Sequence, residues 1–382
     1  GFATSQYVLK LQDLAEARGV DPEKFSKGLL LNEISIAPLT EDIVTLAASV
    51  SNSILTDKEK EEIDMVIVAT ESGIDQSKAA AVFVHGLLGI QPFARSFEIK
   101  EACYGATAAL HYAKLHVENS PESKVLVIAS DIAKYGVGTP GEPTQGAGSV
   151  AMLITQNPRI MAFNNDNVAQ TRDIMDFWRP NYSSTPYVNG MYSTQQYLDC
   201  LTTTWDEYKK RYDWTMDDFA AICFHLPYPK LALKGLRKMM DKTLSQEKKD
   251  SLQENFDKSI LYSQMIGNIY TGSLFLGLLS LLENAETLKA GDKIALYSYG
   301  SGAVSEFFSG ELVEGYEAYL DKERLSKLKQ RTALSVADYE KVFFEEVQLD
   351  ESGSAQFAAY EHQDYALVEI VDHQRRYSKV EK

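Results

Sequence analysis

Cysteine is scarce in this chain. Only Cys103, Cys200 and Cys223 carry thiols among 382 residues, and no two stand in C-x-x-C spacing. That rules out a disulfide framework and fits a reducing cytoplasm. Positive charge is in deficit: Asp and Glu outnumber Lys and Arg 54 to 38, a net charge of −16. This argues against nucleic acid or an anionic membrane as the main partner, and a polyanionic small ligand would need a locally basic pocket. Long apolar runs are missing too. The longest, 274–282, is too short to span a bilayer and contains Gly277 and Ser280. No signal-peptide pattern opens the chain, which starts at Gly1 rather than Met, as expected if an initial segment has been removed. Besides His225, histidines fall either in helical patterns (His85, His111, His116) or in a charged tail (His362, His373). None pairs with cysteine or carboxylates at metal-ligand spacing, so no catalytic metal is expected.

What is present is a globular composition, 45% hydrophobic and 24% charged, in a chain long enough for two or three domains or one two-part domain. The pattern predicts an extended start, helices over 11–18 and from 41 toward 54, and a solvated charged connector over 57–62. MVIVAT (65–70) is a continuous apolar run suited to a parallel strand covered on both faces, and Glu71 follows at its carboxyl end. A helix over 79–88 and buried strands over 125–130 (ending in Asp131) and 149–155 come next. Between those strands, residues 136–141 formally spell G-x-G-x-x-G. Pro140 and Pro143 interrupt it and a strand is expected to follow, so a dinucleotide fingerprint is rejected. The sequon at Asn181 matters only in a secreted protein and is set aside.

Phe97 to Leu110, FEIKEACYGATAAL, is the segment around which the rest is arranged. A helix is expected from Tyr104 to about Asn119, stopped by Ser120-Pro121, so Cys103 stands at or just before its N-terminus. Unpaired backbone N–H groups there stabilise an anion and would lower a thiol pKa. The small residues around it let the helix pack closely without blocking the sulfur. An acyl-accepting thiolate is one reading of this position; an inert buried cysteine is the other.

The second half repeats the first in outline. A strand over 221–224 ends in His225, a helix covers 230–240, and Asn268 stands where a small- and leucine-rich helix begins. A strand over 293–298 then ends in Gly300-Ser301-Gly302. Glu71 and His225 thus end strands, and Cys103 and Asn268 open helices, at corresponding places. Two similar βαβ halves are expected, 1–160 and 161–382, with a charged helical appendage after about 312. Ligands in open α/β sheets bind at the carboxyl ends of strands, so the four groups should converge. A cysteine accepting an acyl group, a carboxylate removing a proton beside a carbonyl, and a histidine and asparagine binding a carbonyl oxygen support carbon–carbon bond formation between acyl thioesters. Backbone N–H groups of Cys103 and of residues 300–302 are candidate oxyanion donors. Taken singly, Glu71 also fits a helix-cap neighbour, His225 a buried core histidine and Asn268 a loop residue.

The chain resembles the bacterial 3-hydroxy-3-methylglutaryl-CoA synthases of the thiolase superfamily, through VIVATES (66–72), GIQPFARSFEIKEACYGAT (89–107), DIAKYG (131–136), GEPTQGAGSVAM (141–152), DFWRP (176–180), GNIYTGSL (267–274) and YGSGAV (299–304). The resemblance covers nearly the whole chain and weakens after about residue 312. It implies an α/β, thiolase-like fold with a layered α-β-α-β-α core. It also implies condensation of acetyl-CoA with acetoacetyl-CoA and water, giving 3-hydroxy-3-methylglutaryl-CoA and CoA in the mevalonate pathway of isoprenoid biosynthesis. Carried onto this sequence, Cys103 would be acetylated, Glu71 would deprotonate the acetyl methyl, and His225 would anchor and polarise the acetoacetyl thioester. Asp131, Tyr135 and Asp176 would shape the pocket, while Asp21, Thr144, Ser193, Lys234, Asn268 and Ser301 would touch substrate or CoA, with Lys230 added. No cofactor beyond the CoA thioesters is implied, and a cytoplasmic homodimer is. The rivals are a decarboxylating ketoacyl synthase, which needs no carboxylate at Glu71, and a non-catalytic acyl-CoA-binding protein, in which Cys103 would not become acetylated.

Overall fold

The computed structural model describes residues 1–360 and 363–380, so His362 lies outside the described residues. The chain opens with β1 (Phe2–Ala3), β2 (Tyr7–Lys10), α1 (Leu11–Arg18), α2 (Glu23–Ser26) and β3 (Glu33–Ile36). Helix α3 (Ile43–Ile54) begins at a capping box, in which Asp42 accepts from the N–H groups of Val44 and Thr45 and Thr45 accepts from that of Asp42. The charged stretch expected as a connector is instead helical, α4 (Asp57–Glu62). Thr56 and Glu59 cap each other there, a local arrangement worth about 1 kcal/mol that composition alone does not reveal.

Strand β4 (Ile63–Ala69), helix α5 (Ala80–Leu88), strand β5 (Arg95–Ile99), helix α6 (Gly105–Asn119), strand β6 (Lys124–Ala133) and strand β7 (Gly146–Ile154) complete the first half. Strand β5 lies in what reads as a charged approach to Cys103, because an edge strand lacks the apolar run of β4. The sheet order is β1-β7-β6-β4-β5, parallel from β5 through β6 and antiparallel beyond. Residues 136–141 lead into a single 3₁₀ turn and then β7, with no α-helix, as the prolines require.

The second half starts with β8 (Met161–Phe163), β9 (Val168–Thr171) and the small hairpin β10 (Phe177–Trp178) and β11 (Tyr187–Val188). Next come α7 (Gly190–Tyr212), β12 (Ala221–Phe224), α8 (Pro229–Met239), α9 (Gln246–Ser259), α10 (Ser263–Ile266), α11 (Ser273–Asn284), β13 (Lys293–Gly300) and β14 (Val304–Leu312). Its sheet runs β12-β13-β14, parallel then antiparallel, with β8 and β9 both against β14. The series β4–α6–β6–β7 and β12–α11–β13–β14 therefore share order and strand direction.

Strand alternation sorts the side chains into layers. Met65, Ile67 and Ala69 of β4 and Ala221 and Cys223 of β12 face a common core holding Ala106, Ala109 and Ala113 of α6 and Leu274, Leu278 and Leu281 of α11. Val66, Val68, Leu126 and Ile128 face outward onto α3 and α5. Ile222, Phe224, Ala295 and Tyr297 face outward onto α7, α8 and α9. The result is helix, sheet, paired central helices, sheet, helix. Alanine along α6 is what lets the central helices fit between two sheets.

The stretch after Leu312 is not a solvated helical appendage. After α12 (Arg324–Leu328), β15 (Thr332–Ala333) pairs with β2, and Tyr339 of α13 (Val336–Phe344) is buried against α1 and β3. Strands β16 (Ala355–Gln356), β17 (Tyr365–Val371) and β18 (Gln374–Lys379) form an antiparallel sheet that returns to α3. There the Leu367 N–H donates to Thr40 O at 3.0 Å, and Tyr377 and Arg375 reach Asp42 at 2.6 and 3.3 Å. Charges on its outward faces hide the apolar inner face in composition.

Candidate active site

Cys103 immediately precedes the N-cap of α6, and Glu71 follows β4, two strands' ends on one edge of the first sheet. The Cys103 thiol donates to Glu71 Oε1 at 3.2 Å. Glu71 is held by Asp131, whose Oδ1 accepts from Thr70 Oγ1 (2.8 Å), the N–H groups of Glu71 and Ser72 (2.9 and 3.0 Å) and Ser72 Oγ (2.8 Å). Its Oδ2 accepts from the Thr271 N–H at 3.1 Å, which ties the two halves together. Arg179 donates to the Glu71 carbonyl oxygen.

Burial, then the Asp131 charge, pushes the Glu71 carboxyl well above the usual carboxylate range. The Cys103 thiol is pushed up rather than down, first by burial and then by Glu71. This reverses the expectation of a helix-lowered thiol. The N–H groups of Tyr104, Gly105 and Ala106 are engaged by Glu101 O (2.9 Å), Ala102 O (3.5 Å) and Thr271 Oγ1 (2.7 Å), so they do not serve the sulfur.

Asn268 lies ahead of α11 rather than opening it. Its Nδ2 donates to the Tyr135 hydroxyl at 3.1 Å, while its Oδ1 accepts from the Tyr270 N–H and Ser273 Oγ, both at 2.8 Å. The Tyr135 and Tyr270 rings meet edge-on at 5.8 Å, and burial, then the neighbouring acidic groups, holds both hydroxyls protonated. Ala102, just before Cys103, and Tyr270 both hold left-handed backbone, at φ 40° and 44°. Such non-glycine strain costs about 1–3 kcal/mol and clusters at functional sites.

His225 ends β12, with its N–H on Tyr297 O (2.7 Å) and its carbonyl accepting from the Tyr197 hydroxyl (2.9 Å). The next residue of β13, Ser298, accepts from Thr107 Oγ1 of α6 at 2.8 Å. Gly300, two residues on, lies so close to the Cys103 loop that a Cβ would come within 2.6 Å of Tyr104 N and 2.7 Å of Glu101 O. These contacts bring the His225 edge to the Cys103 edge. Burial lowers the His225 pKa to about 3, leaving the ring neutral near pH 7, and its Nδ1 has no hydrogen-bond partner among the described residues.

Asp131 and Asp176, expected to shape the pocket against substrate, are fully buried with their oxygens on protein donors. Asp176 accepts from the Tyr299 hydroxyl (2.8 Å), Ser193 Oγ (3.1 Å) and the Gly302 N–H (2.9 Å). The Gly302 N–H is consequently not available as an oxyanion donor, which leaves Cys103, Gly300 and Ser301 from the expected set. Thr144 is nearly buried, and its carbonyl receives the Asn268 N–H at 3.0 Å. Ser301 lines a cleft of about 930 Å³ together with Glu71, Ala102, Trp178, Arg179 and Gly302. Asp21 is exposed at the turn into α2, where its carboxylate accepts from the Glu23 N–H. Lys230 and Lys234 lie on the first turns of α8, whose start meets the segment after α2 through Lys230 N–H to Leu29 O at 3.1 Å. Arg179, Tyr270 and Thr271 escaped sequence reasoning, although DFWRP and GNIYTGSL contain them.

Residues 2–159 match the family described as hydroxymethylglutaryl-coenzyme A synthase N terminal, and residues 167–248 and 237–379 match its C-terminal counterpart. The chain is 54% identical over 351 residues to the hydroxymethylglutaryl-CoA synthase of Enterococcus faecalis, covering 91% of each. A solved structure of HMG-CoA synthase complexed with CoA superposes with a TM-score of 0.98 at 68% identity, covering 100% of this chain and 98% of that one. A structure of MvaS in complex with 3-hydroxy-3-methylglutaryl coenzyme A gives 0.85 at 32% identity, covering 100% and 97%.

Proposed function

The chain belongs to the hydroxymethylglutaryl-coenzyme A synthase family, as a thiolase-fold, acyl-transferring condensing enzyme of the mevalonate pathway, and we propose that Cys103, Glu71 and His225 divide its reaction among them. The sulfur of Cys103 attacks the acetyl-CoA carbonyl, giving its proton to Glu71, and the CoA thiolate leaves with that proton. The regenerated Glu71 carboxylate, made more basic by burial, then takes a proton from the acetyl methyl. The carbanion attacks the ketone of acetoacetyl-CoA, and the alkoxide recovers the proton. Water cleaves the Cys103 thioester and releases 3-hydroxy-3-methylglutaryl-CoA.

Neutral His225 polarises the acetoacetyl carbonyl by a hydrogen bond rather than by charge. Asn268, with Tyr135, holds the same substrate, and Cys103 and Ser301 N–H groups receive developing negative charge. Lys230 and Lys234 offer cations to the phosphates of CoA, with Asp21, Thr144 and Ser193 around its path. No step calls for a cofactor or metal.

The halves divide near residue 160. A homodimer is supported by the exposed apolar residues Val82, Phe93, Tyr112 and Leu115 around edge strand β5, and a cytoplasmic location by three unpaired cysteines.

The 3.2 Å contact between Cys103 and Glu71 carries this reading. Incubation with labelled acetyl-CoA should leave the label on the Cys103 peptide, and CoA release should depend on acetoacetyl-CoA. An unlabelled Cys103 peptide, or turnover with malonyl thioesters instead, would overturn it.

A further inference from the structure

Glu306 of β14 is a buried carboxylate that the reaction scheme leaves without a part. Taking such a charge out of water costs several kcal/mol unless donors surround it. Here they do. Its Oε2 accepts from the Tyr104 hydroxyl at 2.6 Å, and its Oε1 accepts from Asn167 Nδ2 at 2.8 Å and lies 2.8 Å from His111 Nε2. Burial alone would raise its pKa, but His111, Tyr104 and Asn167 together hold it below the usual carboxylate value.

The polar contacts follow a pattern. Tyr104, Thr107 and His111 stand at i, i+3 and i+7, one face of α6 beginning with the residue after the nucleophile. That face meets β13 and β14, where Ser298 and Glu306 are directly opposed and project to the same side. Ser298 accepts from Thr107, and Glu306 accepts from Tyr104 and lies within ion-pair distance of His111. Together with the Ala106 N–H on Thr271 Oγ1, this polar stripe ties the first turns of the helix in rotation to the second half. Tyr104 follows Cys103 directly, so anchoring its side chain fixes the backbone that carries the sulfur beside Glu71.

We infer that Glu306 is a positioning residue for Cys103, acting through the Tyr104 hydroxyl to aim the thiol at the acetyl carbonyl and at Glu71. It touches neither substrate nor the reacting atoms. Misplacing a nucleophile by about 1 Å can cost about 100-fold in rate, so the effect falls on the acetylation step rather than on binding.

The inference rests on Cys103 being the acyl acceptor, and the test separates the two. In the full chain, the rate of acetyl-Cys103 formation at saturating acetyl-CoA, with its KM, is measured for wild type, Glu306→Gln, Tyr104→Phe and the double variant. Each single variant should acetylate at least about 10-fold more slowly with KM within about 2-fold of wild type. The double variant should be no slower than the poorer single, because both changes break one contact. Wild-type rates in Tyr104→Phe or Glu306→Gln overturn the inference, as do losses that multiply or a KM that rises with the lost rate. Should Glu306→Gln fail to fold, Tyr104→Phe, which deletes one hydroxyl, decides by itself. A wild-type protein with no acetyl adduct on Cys103 would instead overturn the underlying reading.

Discussion

Cys103 Sγ and Glu71 Oε1 are hydrogen-bonded at 3.2 Å in a site where burial raises the pKa of both. The thiol is not poised as a free thiolate; it donates to the ionised form of Glu71. The proton between them is held until a carbonyl accepts the sulfur's electron pair, and the carboxyl that receives it becomes the base for the next step.

Removing that carboxylate separates its two effects. Glu71→Ala takes away the charge and the hydrogen bond that raise the thiol pKa, so the pH midpoint of Cys103 alkylation by iodoacetamide should fall. Condensation should drop about 10²–10⁴-fold or more, the usual worth of a general base, while acetylation falls by less, because the lowered thiol pKa supplies thiolate in place of the lost proton acceptor. An unmoved alkylation midpoint, or acetylation lost together with condensation, would contradict this division.

Glu71 should also weaken the fold as pH rises. Its pKa is raised in the folded state, so between the ordinary carboxylate range and that higher value the native protein binds more protons than the unfolded chain. Stability therefore falls with increasing pH across that window. Glu71→Gln should gain Tm relative to wild type between pH 5 and pH 8, by about 2 °C or more at the upper end. A constant difference in thermal melts over that range would show that Glu71 ionisation is not linked to folding.

His225→Ala should chiefly impair the acetoacetyl-CoA step, raising KM for that substrate or slowing condensation while acetyl-Cys103 still forms. With its folded pKa lowered to about 3, His225 contributes stability that is present above its unfolded value near 6.5 and lost as pH falls through that value toward 3. His225→Gln should accordingly flatten the acid side of the stability profile. Unchanged acetoacetyl-CoA kinetics would remove His225 from the site.

Gly300→Ala should slow acetylation with the overall fold retained. The added methyl would press on Tyr104 N and Glu101 O, both backbone atoms beside Cys103. Circular dichroism like wild type with at least about 10-fold slower acetylation is the expected result, since nucleophile placement is sensitive at the ångström scale. Full activity would mean the loop has room to yield.

Glu71, Cys103 and His225 were legible because each sits at a boundary that a sequence displays: the end of an apolar run, the start of a small-residue helix, the end of another run. The strands of the two central sheets were legible for the same reason, except β5, β14 and the short edge strands, where alternation is weak. Asp131 and Asp176 were found as positions but not as parts, since only coordinates show that their oxygens are already taken. The thiol pKa was misread because a helix N-terminus was judged without its tertiary partners: Thr271, 165 residues along the chain from Ala106, takes one of the donors. Arg179 stood in plain view inside DFWRP, but nothing in its neighbours along the chain links it to Glu71.

The clasp of Tyr377 and Arg375 on Asp42 gives the far end of the chain a hold on the cleft. Asp42 caps α3, and Asp42 and Ile43 both line the cavity beside Glu71. Fraying of the final hairpin therefore withdraws two donors from the cap on which the catalytic wall is seated. Loosening at the rim of the terminal sheet is thereby passed to the wall of the cleft beside Glu71.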